Sequence, residues 1–319
     1  MAASSTNILV FGATGLIGKY ITEALIKEKS SFGTLGIFTS QSTLDSKAPY
    51  IQYLRSNNVQ IHVGDVSNEK DILEAYKPYD TIISAFGRAV IASQIPLLAL
   101  AEQTLNIKRF FPSEYGTDIE YGPKSPNEKP HQQKLKVRKY IRENVKRVEV
   151  TYLVTGPYVD GYIGKPSPVD VRMGGFDVKK RKAYLLGSGR EKVAFTTMAD
   201  VGRLLVAAVK SPEQSKNKAL IVNSFTATPD EILAEYEKQT GAKWEKEYIP
   251  LDLLKQLEEE AWEKEVPWAT GFTLKRIWTE GGTLYESRDN EAIGFTKPDT
   301  LADAVAEAIK VQETATSKV

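Results

Sequence analysis

Residues 8–18 read Ile8-Leu-Val-Phe-Gly-Ala-Thr-Gly-Leu-Ile-Gly18, and the chain continues Lys19-Tyr-Ile-Thr-Glu-Ala-Leu-Ile-Lys27. An apolar run that breaks into three glycines and resumes with periodic apolar residues predicts a buried strand, a tight turn and a helix. Each glycine has its own job. Gly12 lets the strand turn sharply, Gly15 lets a pyrophosphate approach the backbone without meeting a Cβ, and Gly18 lets the helix pack closely. The helix start would then present free N–H groups and a positive dipole end to phosphates, with Thr14, Leu16 and Ile17 beside them.

Working outward, apolar strand-like runs recur at 7–11, 34–38, 59–63, 79–85, 108–112 and 148–154. Helical patterns lie between them near 16–28, 46–56, 68–76, 91–106 and 131–145, the fourth with a stripe of Ile91, Ile95, Leu98 and Leu105. This alternation predicts right-handed βαβ units and an α/β fold of the Rossmann type, a doubly wound parallel sheet. A ligand should sit at the carboxyl ends of the strands, where strand order reverses. Residues 1–155 are expected to form an NADP-binding domain. Residues 156–319 change character: 156–192 is rich in Gly and Pro and carries the basic run Lys179-Lys180-Arg181-Lys182, read as solvated surface. Helices are expected at 200–210, 229–240, 250–264 and 300–310, a short strand at 219–223, and a frayed tail after 311. Pro229-Asp230-Glu231 is a proline-first, acidic helix start. This half reads as a smaller carboxyl-terminal lobe that covers substrate and sends segments back to the sheet.

Composition narrows the chemistry. The 319 residues are 41% hydrophobic and 26% charged, with a net charge of +1, so no overall field recruits nucleic acid or a membrane surface. Cys is absent, which excludes thiolate nucleophiles, disulfides, iron–sulfur clusters and cysteine-ligated zinc. Only His62 and His131 exist, so no metal site built on several histidines can form, and none is expected. No run has the length of a membrane span, and the amino terminus lacks a basic segment followed by an apolar core; a cytoplasmic location is the expectation. Oligomeric state stays open between monomer and homodimer.

The second strand decides which dinucleotide. NAD sites usually end it with a carboxylate for the ribose 2′-hydroxyl. Here the run is Thr39-Ser40-Gln41-Ser-Thr43, nothing acidic follows until Asp45, and Lys47 comes next. Hydroxyls, an amide and one ammonium suit a 2′-phosphate, so NADPH is the expected cofactor. At the ends of the fourth and fifth strands, Ala85-Phe86-Gly87 and Pro112-Ser113-Glu114 are expected to line its path.

The Gly-x-x-Gly-x-x-Gly spacing resembles that of the atypical short-chain dehydrogenase/reductases. Ordinary members use Tyr-x-x-x-Lys, and none of the 15 tyrosines here has Lys four residues later. Further blocks sharpen the likeness: Arg109-Phe-Phe-Pro-Ser-Glu-Tyr-Gly116, Lys134-Leu-Lys-Val-Arg138, Thr151-Tyr152, Tyr158-Val-Asp-Gly-Tyr162 and Asn217-Lys218. With the glycine loop they resemble the isoflavone reductase-like, or phenylcoumaran benzylic ether reductase type, branch of the NmrA-like atypical reductases. The NmrA-like domain would span about 5–260. The resemblance implies NADPH and a catalytic lysine on the helix after strand five, a position held here by Lys134. The chain departs from the family pattern at Thr39-Ser40-Gln41, where an arginine is usual, and at Gly156-Pro157-Tyr158.

On physical grounds, a partly desolvated lysine near an oxidised nicotinamide has its pKa lowered toward working pH and can exchange a proton with a phenol or enolate. By spacing alone, Lys134, Lys136, Arg138 and Lys139 fit one solvated helix face equally well. Tyr158 is expected at both cofactor and substrate; His131 and Tyr162 at substrate; Phe86, Trp268 or Trp278 as further walls; Glu114 as an organiser of the strand-five loop; and His62 as structural. The expected function is hydride transfer from NADPH to a small aromatic, phenylpropanoid-like conjugated alkene, quinone-methide-like centre or carbonyl, with Lys134 as general acid–base. The second expectation is a non-catalytic NADP-sensing regulator of the NmrA kind that acts through a protein partner. An epimerase or dehydratase with tightly held NAD is disfavoured by the missing Tyr-x-x-x-Lys.

Overall fold

The computed structural model describes residues 6–314. Strand β1 (Ile8–Phe11) is wholly buried, and its side chains alternate between two cores. Ile8 and Val10 belong to one, Leu9 and Phe11 to the other, as period-2 geometry demands of a strand covered on both faces. With β2 (Leu35–Thr39), β3 (Gln60–Val63), β4 (Thr81–Ser84), β5 (Arg109–Phe111) and β6 (Glu149–Val150) it forms a six-stranded parallel sheet in the order β3-β2-β1-β4-β5-β6. Strand order reverses between β1 and β4, which is where the glycine loop emerges.

Helices α1 (Leu16–Lys27), α2 (Gln41–Ser46), α3 (Ala48–Ser56), α4 (Glu69–Tyr76), α5 (Gln94–Gln103) and α6 (Gln132–Asn144) fill the crossovers. Two boundaries differ from expectation for local reasons. The single helix read over 46–56 is two, broken at Lys47, because Pro49 lacks the N–H that would continue an upstream helix. The helix read over 91–106 begins as a 3₁₀ segment, Arg88–Ser93, and ends at Gln103. Leu105, placed in its apolar stripe, is 75% exposed; Leu97, Leu98, Leu100 and Ala101 make the buried face instead.

The strand read over 148–154 breaks at Thr151, whose hydroxyl donates to the Ser215 carbonyl. Its second part, β7 (Tyr152–Val154), pairs with a later strand. The remaining strands are β8 (Gly175–Asp177), β9 (Lys182–Leu186), β10 (Val193–Phe195), β11 (Ala219–Ile221), β12 (Phe225–Ala227) and β13 (Glu245–Ile249). β11 runs parallel to β7, β10 pairs with β12, and β13-β9-β8 form a third small sheet. The Gly- and Pro-rich stretch 156–192 thus holds a β-hairpin whose turn is the basic run; Lys182 in it pairs with Glu245 and Glu247.

The remaining helices are α7 (Val159–Tyr162), α8 (Met198–Lys210), α9 (Pro212–Ser215), α10 (Pro229–Thr240), α11 (Leu251–Glu263), α12 (Ala269–Thr279) and α13 (Leu301–Thr314). α10 starts in a capping box, Thr228 and Glu231 satisfying each other's backbone N–H. α12 had no counterpart in the sequence reading. α13 carries helix to Thr314, past the expected fraying point; the start at 1–5 and the tail at 315–319 lie outside the described residues. Among the described residues no helix is long and apolar enough to cross a membrane.

Candidate active site

Two hollows lie at the carboxyl ends of the sheet strands. The first, about 590 Å³, is lined by Gly12, Thr14, Thr39, Ser40, Gln41 and Phe86, all expected cofactor contacts. Gly12 turns the chain at φ +75, and a Cβ there would stand 2.5 Å from the Ala85 carbonyl oxygen. A Cβ on Gly18 would lie 2.0 Å from the Gly12 carbonyl oxygen, so α1 closes against the turn itself. Gly15 precedes α1 with no capping side chain, and the first turn of α1 holds no acid, leaving its N–H groups open to an anion. Leu16 is 70% exposed at that helix start, while Ile17 is buried beneath it. Lys47 reaches the same loop: its ammonium donates to the Thr14 carbonyl at 2.7 Å. Ser40 is the N-cap of α2, accepting from the Thr43 amide, and Gln41 donates to Asp45.

Between the hollows, Ser113 ties two strand ends together by donating its hydroxyl to the Phe86 carbonyl at 2.7 Å. Ala85 and Pro112 are buried on either side of this link, and Gly87 is exposed beyond it.

The second hollow, about 320 Å³, is lined by Lys134, His131, Tyr158, Tyr162, Arg88, Lys275 and Trp278. Size alone does not choose it, since a larger cavity of about 930 Å³ lies against α13, with none of these residues in its walls. The chemistry does. Lys134, 17% exposed, donates its ammonium to the Glu114 main-chain carbonyl and lies 4.0 Å from the Glu114 carboxylate. Burial pulls its pKa down, the Glu114 carboxylate opposes, and Arg88 and Arg138 add to the fall; the result is about 8. The α6 cations therefore do not form one solvated face. Lys136 and Lys139 are exposed, whereas Arg138 is buried with its guanidinium on Glu114, Asp118 and Glu120 and over the Tyr152 ring. That cluster clamps α6 to the β5 loop, which gives Glu114 its organising role.

His131, one turn before Lys134, is 2% exposed. Its Nδ1 faces the Ser125 carbonyl at 2.9 Å, so Nδ1 carries the proton. Burial holds its pKa below the usual histidine value, and Nε2, an acceptor, has no partner among the described residues. Tyr158 donates to the Tyr115 carbonyl at 2.6 Å, while the buried Tyr162 hydroxyl has no partner. Trp278 lines the cavity but Trp268 does not, being 38% exposed at the start of α12, and Phe86 belongs to the first hollow. His62 meets the Tyr79 hydroxyl at 2.8 Å, away from both hollows. Sequence reasoning missed Arg88, just past the Ala85-Phe86-Gly87 turn, and Lys275 on α12.

The NmrA-like family model matches residues 4–280, further toward the carboxyl end than the expected 260. The chain belongs to the NmrA-like family. A phenylcoumaran benzylic ether reductase from Pyrus communis is 30% identical over 264 residues, covering 81% of this chain and 83% of its own. Among solved structures, an isoflavone reductase superposes with a TM-score of 0.81 at 25% identity, over 95% of this chain and 99% of that one. The leucoanthocyanidin reductase of Vitis vinifera, solved as a binary complex with NADPH, has the same fold, with a TM-score of 0.79 at 21% identity over 95% and 99%. This NmrA-like chain thus falls in the isoflavone reductase-like branch that its motifs resemble.

Proposed function

We propose that this NADPH-dependent oxidoreductase reduces a small aromatic, phenylpropanoid-like substrate at a conjugated alkene, quinone-methide-like carbon or carbonyl, with Lys134 as its general acid–base. The observation that carries the reading is the Lys134 amine, desolvated at a cavity wall, with a pKa near 8.

The first hollow fits the cofactor. Its glycine loop admits no Cβ at 12 or 18, the α1 amides are uncapped, and no carboxylate of the 39–43 run opposes a 2′-phosphate. Ser40, Gln41 and Lys47 would hold that phosphate, and Thr14, Gly15, Leu16 and Ile17 the pyrophosphate. Ala85, Phe86, Gly87, Pro112, Ser113, Glu114 and Tyr158 would bound the path to the second hollow. NADPH, when bound, supplies the hydride. Lys134 takes the proton of a substrate phenol as free amine or returns one as ammonium, a pKa near 8 keeping both forms within reach at neutral pH. His131 Nε2 accepts a substrate hydroxyl, and Tyr158 and Tyr162 wall the ring. Residues 1–155 then carry the cofactor hollow and one wall of the substrate hollow, through Arg88, His131 and Lys134, while 156–319 cover the substrate with Tyr158, Tyr162, Lys275 and Trp278.

The test is titration with NADPH and NADH, followed by NADPH oxidation against conjugated aromatic carbonyls and propenyl-phenols, for wild type and Lys134→Met. Expected are selective NADPH binding, turnover, and a loss in the variant of roughly 10²-fold or more with NADPH affinity kept. Unchanged turnover in Lys134→Met overturns the lysine's role. Tight NADP(H) binding without turnover on any compound replaces the reductase reading with the sensor.

A further inference from the structure

Three cationic side chains, Arg88, Lys134 and Lys275, line the second hollow, and no Asp or Glu does. Two of them have local partners: Arg88 donates to the Pro130 carbonyl at 3.1 Å and Lys134 to the Glu114 carbonyl. Lys275 is different. Among the described residues its ammonium has neither a hydrogen bond nor an ion pair; it rests 4.2 Å above the Tyr162 ring and 5.7 Å from the Trp278 ring. A cation over aromatic faces recovers only part of the hydration it loses on burial. Burial accordingly pulls its pKa to about 7, with no carboxylate nearby to oppose the fall.

Lys275 does not belong to the α12 ion-pair network. Its neighbour Arg276 takes that role, pairing with Glu128, Glu258 and Glu280. Acids are therefore available along this helix, and none reaches Lys275. Beside it, the Tyr162 hydroxyl is buried and, among the described residues, unpartnered, as is His131 Nε2 on the wall that carries Lys134. An unpaired ammonium, a free hydroxyl and aromatic faces together describe one end of a binding site whose missing member is an anion.

We propose that Lys275 anchors a negatively charged group of an aromatic substrate, with the Tyr162 hydroxyl as second donor, so that this cavity selects aromatic anions over their neutral analogues. The proposal rests on reading the second hollow as the substrate site. The anion's source is a carboxylate or an acidic phenol; both present the same oxygen acceptors to Lys275.

The test is equilibrium binding to the NADP⁺-loaded protein, which needs no turnover. One ligand pair is 4-methoxycinnamate and its methyl ester; the other is 2,4-dinitrophenol, already a phenolate in mild acid, and 2,4-dinitroanisole, both pairs being measured about one unit below the Lys275 pKa of about 7 so that its ammonium is present. Wild type is expected to bind the anion of at least one pair about tenfold or more tighter than its neutral partner. Lys275→Met should remove that preference while leaving the neutral partner's affinity in place. Selectivity in the first pair alone makes the natural group a carboxylate, in the second alone a phenolate. Equal binding within both pairs of the wild type, or selectivity that survives in Lys275→Met, overturns the proposal. Lys275→Arg, which keeps the charge beside the Tyr162 ring, should keep the preference, and loss of it there also counts against the proposal; equal binding in the wild type overturns it whether or not Lys275→Met folds. Failure to oxidise NADPH would count against the reductase reading and leave this binding result standing.

Discussion

Glu114→Gln isolates what sets the proton affinity of Lys134. The Glu114 carboxylate stands 4.0 Å from the Lys134 ammonium, and it is the largest influence opposing the downward pull of burial. Two unit charges at that distance attract by about 4 kcal/mol at an effective dielectric near 20, or about three pKa units. The neutral amide removes that attraction, and the positive charge of Arg138, 3.1 Å from the other carboxylate oxygen, is then less compensated. Both changes lower the pKa of Lys134. Water and side-chain relaxation reduce the effect, so the expected fall is about one to three units, from about 8 to between about 5 and about 7. Arg138 keeps Asp118 and Glu120, which holds the β5 loop in place. The assay is NMR titration of protein carrying isotope-labelled lysine, with the Lys134 signal identified by its disappearance in Lys134→Met. The corresponding limb of the kcat profile should move in the same direction. A Lys134 pKa that stays put or rises in a folded Glu114→Gln protein refutes the reasoning and leaves the main-chain carbonyl in control.

Lys134→Met should be more stable than wild type at pH 7, by about 1–3 kcal/mol in urea unfolding, since the wild type holds a lysine at about 8 instead of the 10.5 of a free side chain. Between those values the unfolded chain binds more protons, so wild-type stability climbs with pH across the window; the variant's advantage is full below about 8 and gone by about 10.5. Gly18→Ala puts a methyl 2.0 Å from the Gly12 carbonyl oxygen, where only backbone movement can relieve it, and should cost about 2 kcal/mol or more along with NADPH affinity measured by calorimetry. Arg109→Met should cost about 2–4 kcal/mol by chemical denaturation with little effect on cofactor binding, because the buried guanidinium donates to the Ala208 and Val209 carbonyls at the end of α8 and to the Ser215 hydroxyl on α9.

The parts of this fold legible in sequence are those where local chemistry and tertiary burial agree. Strand β1 could be read because a strand covered on both faces needs consecutive apolar residues, and Gly12 and Gly18 beside it because a Cβ at either would strike a backbone carbonyl. β13, Glu-Lys-Glu-Tyr-Ile, could not: four of its five residues are exposed, and it becomes a strand only by pairing with β9. The break at Lys47 was written in Pro49, yet its consequence, an ammonium brought back to Thr14, is a property of the folded chain. The site divides the same way. Lys134 stood out through a motif. His131 was nameable, but its free Nε2 depends on where the Ser125 carbonyl lies. Lys275 has no signature at all, since what distinguishes it is the lack of a partner, and no sequence pattern records that.

The Lys134 ammonium is held by a main-chain carbonyl, and a main-chain carbonyl survives every side-chain replacement at its own position. Other walls come from separate stretches of chain, Tyr162 on α7 and Lys275 and Trp278 on α12, none of which supplies the carbonyl that holds Lys134. Such an arrangement separates the support of the lysine from the shape of the cavity around it. Under the proposed function the hold on the acid–base lysine comes with the backbone, whereas the walls on α7 and α12 are side chains, so substitution there should change which substrate fits before it changes proton transfer.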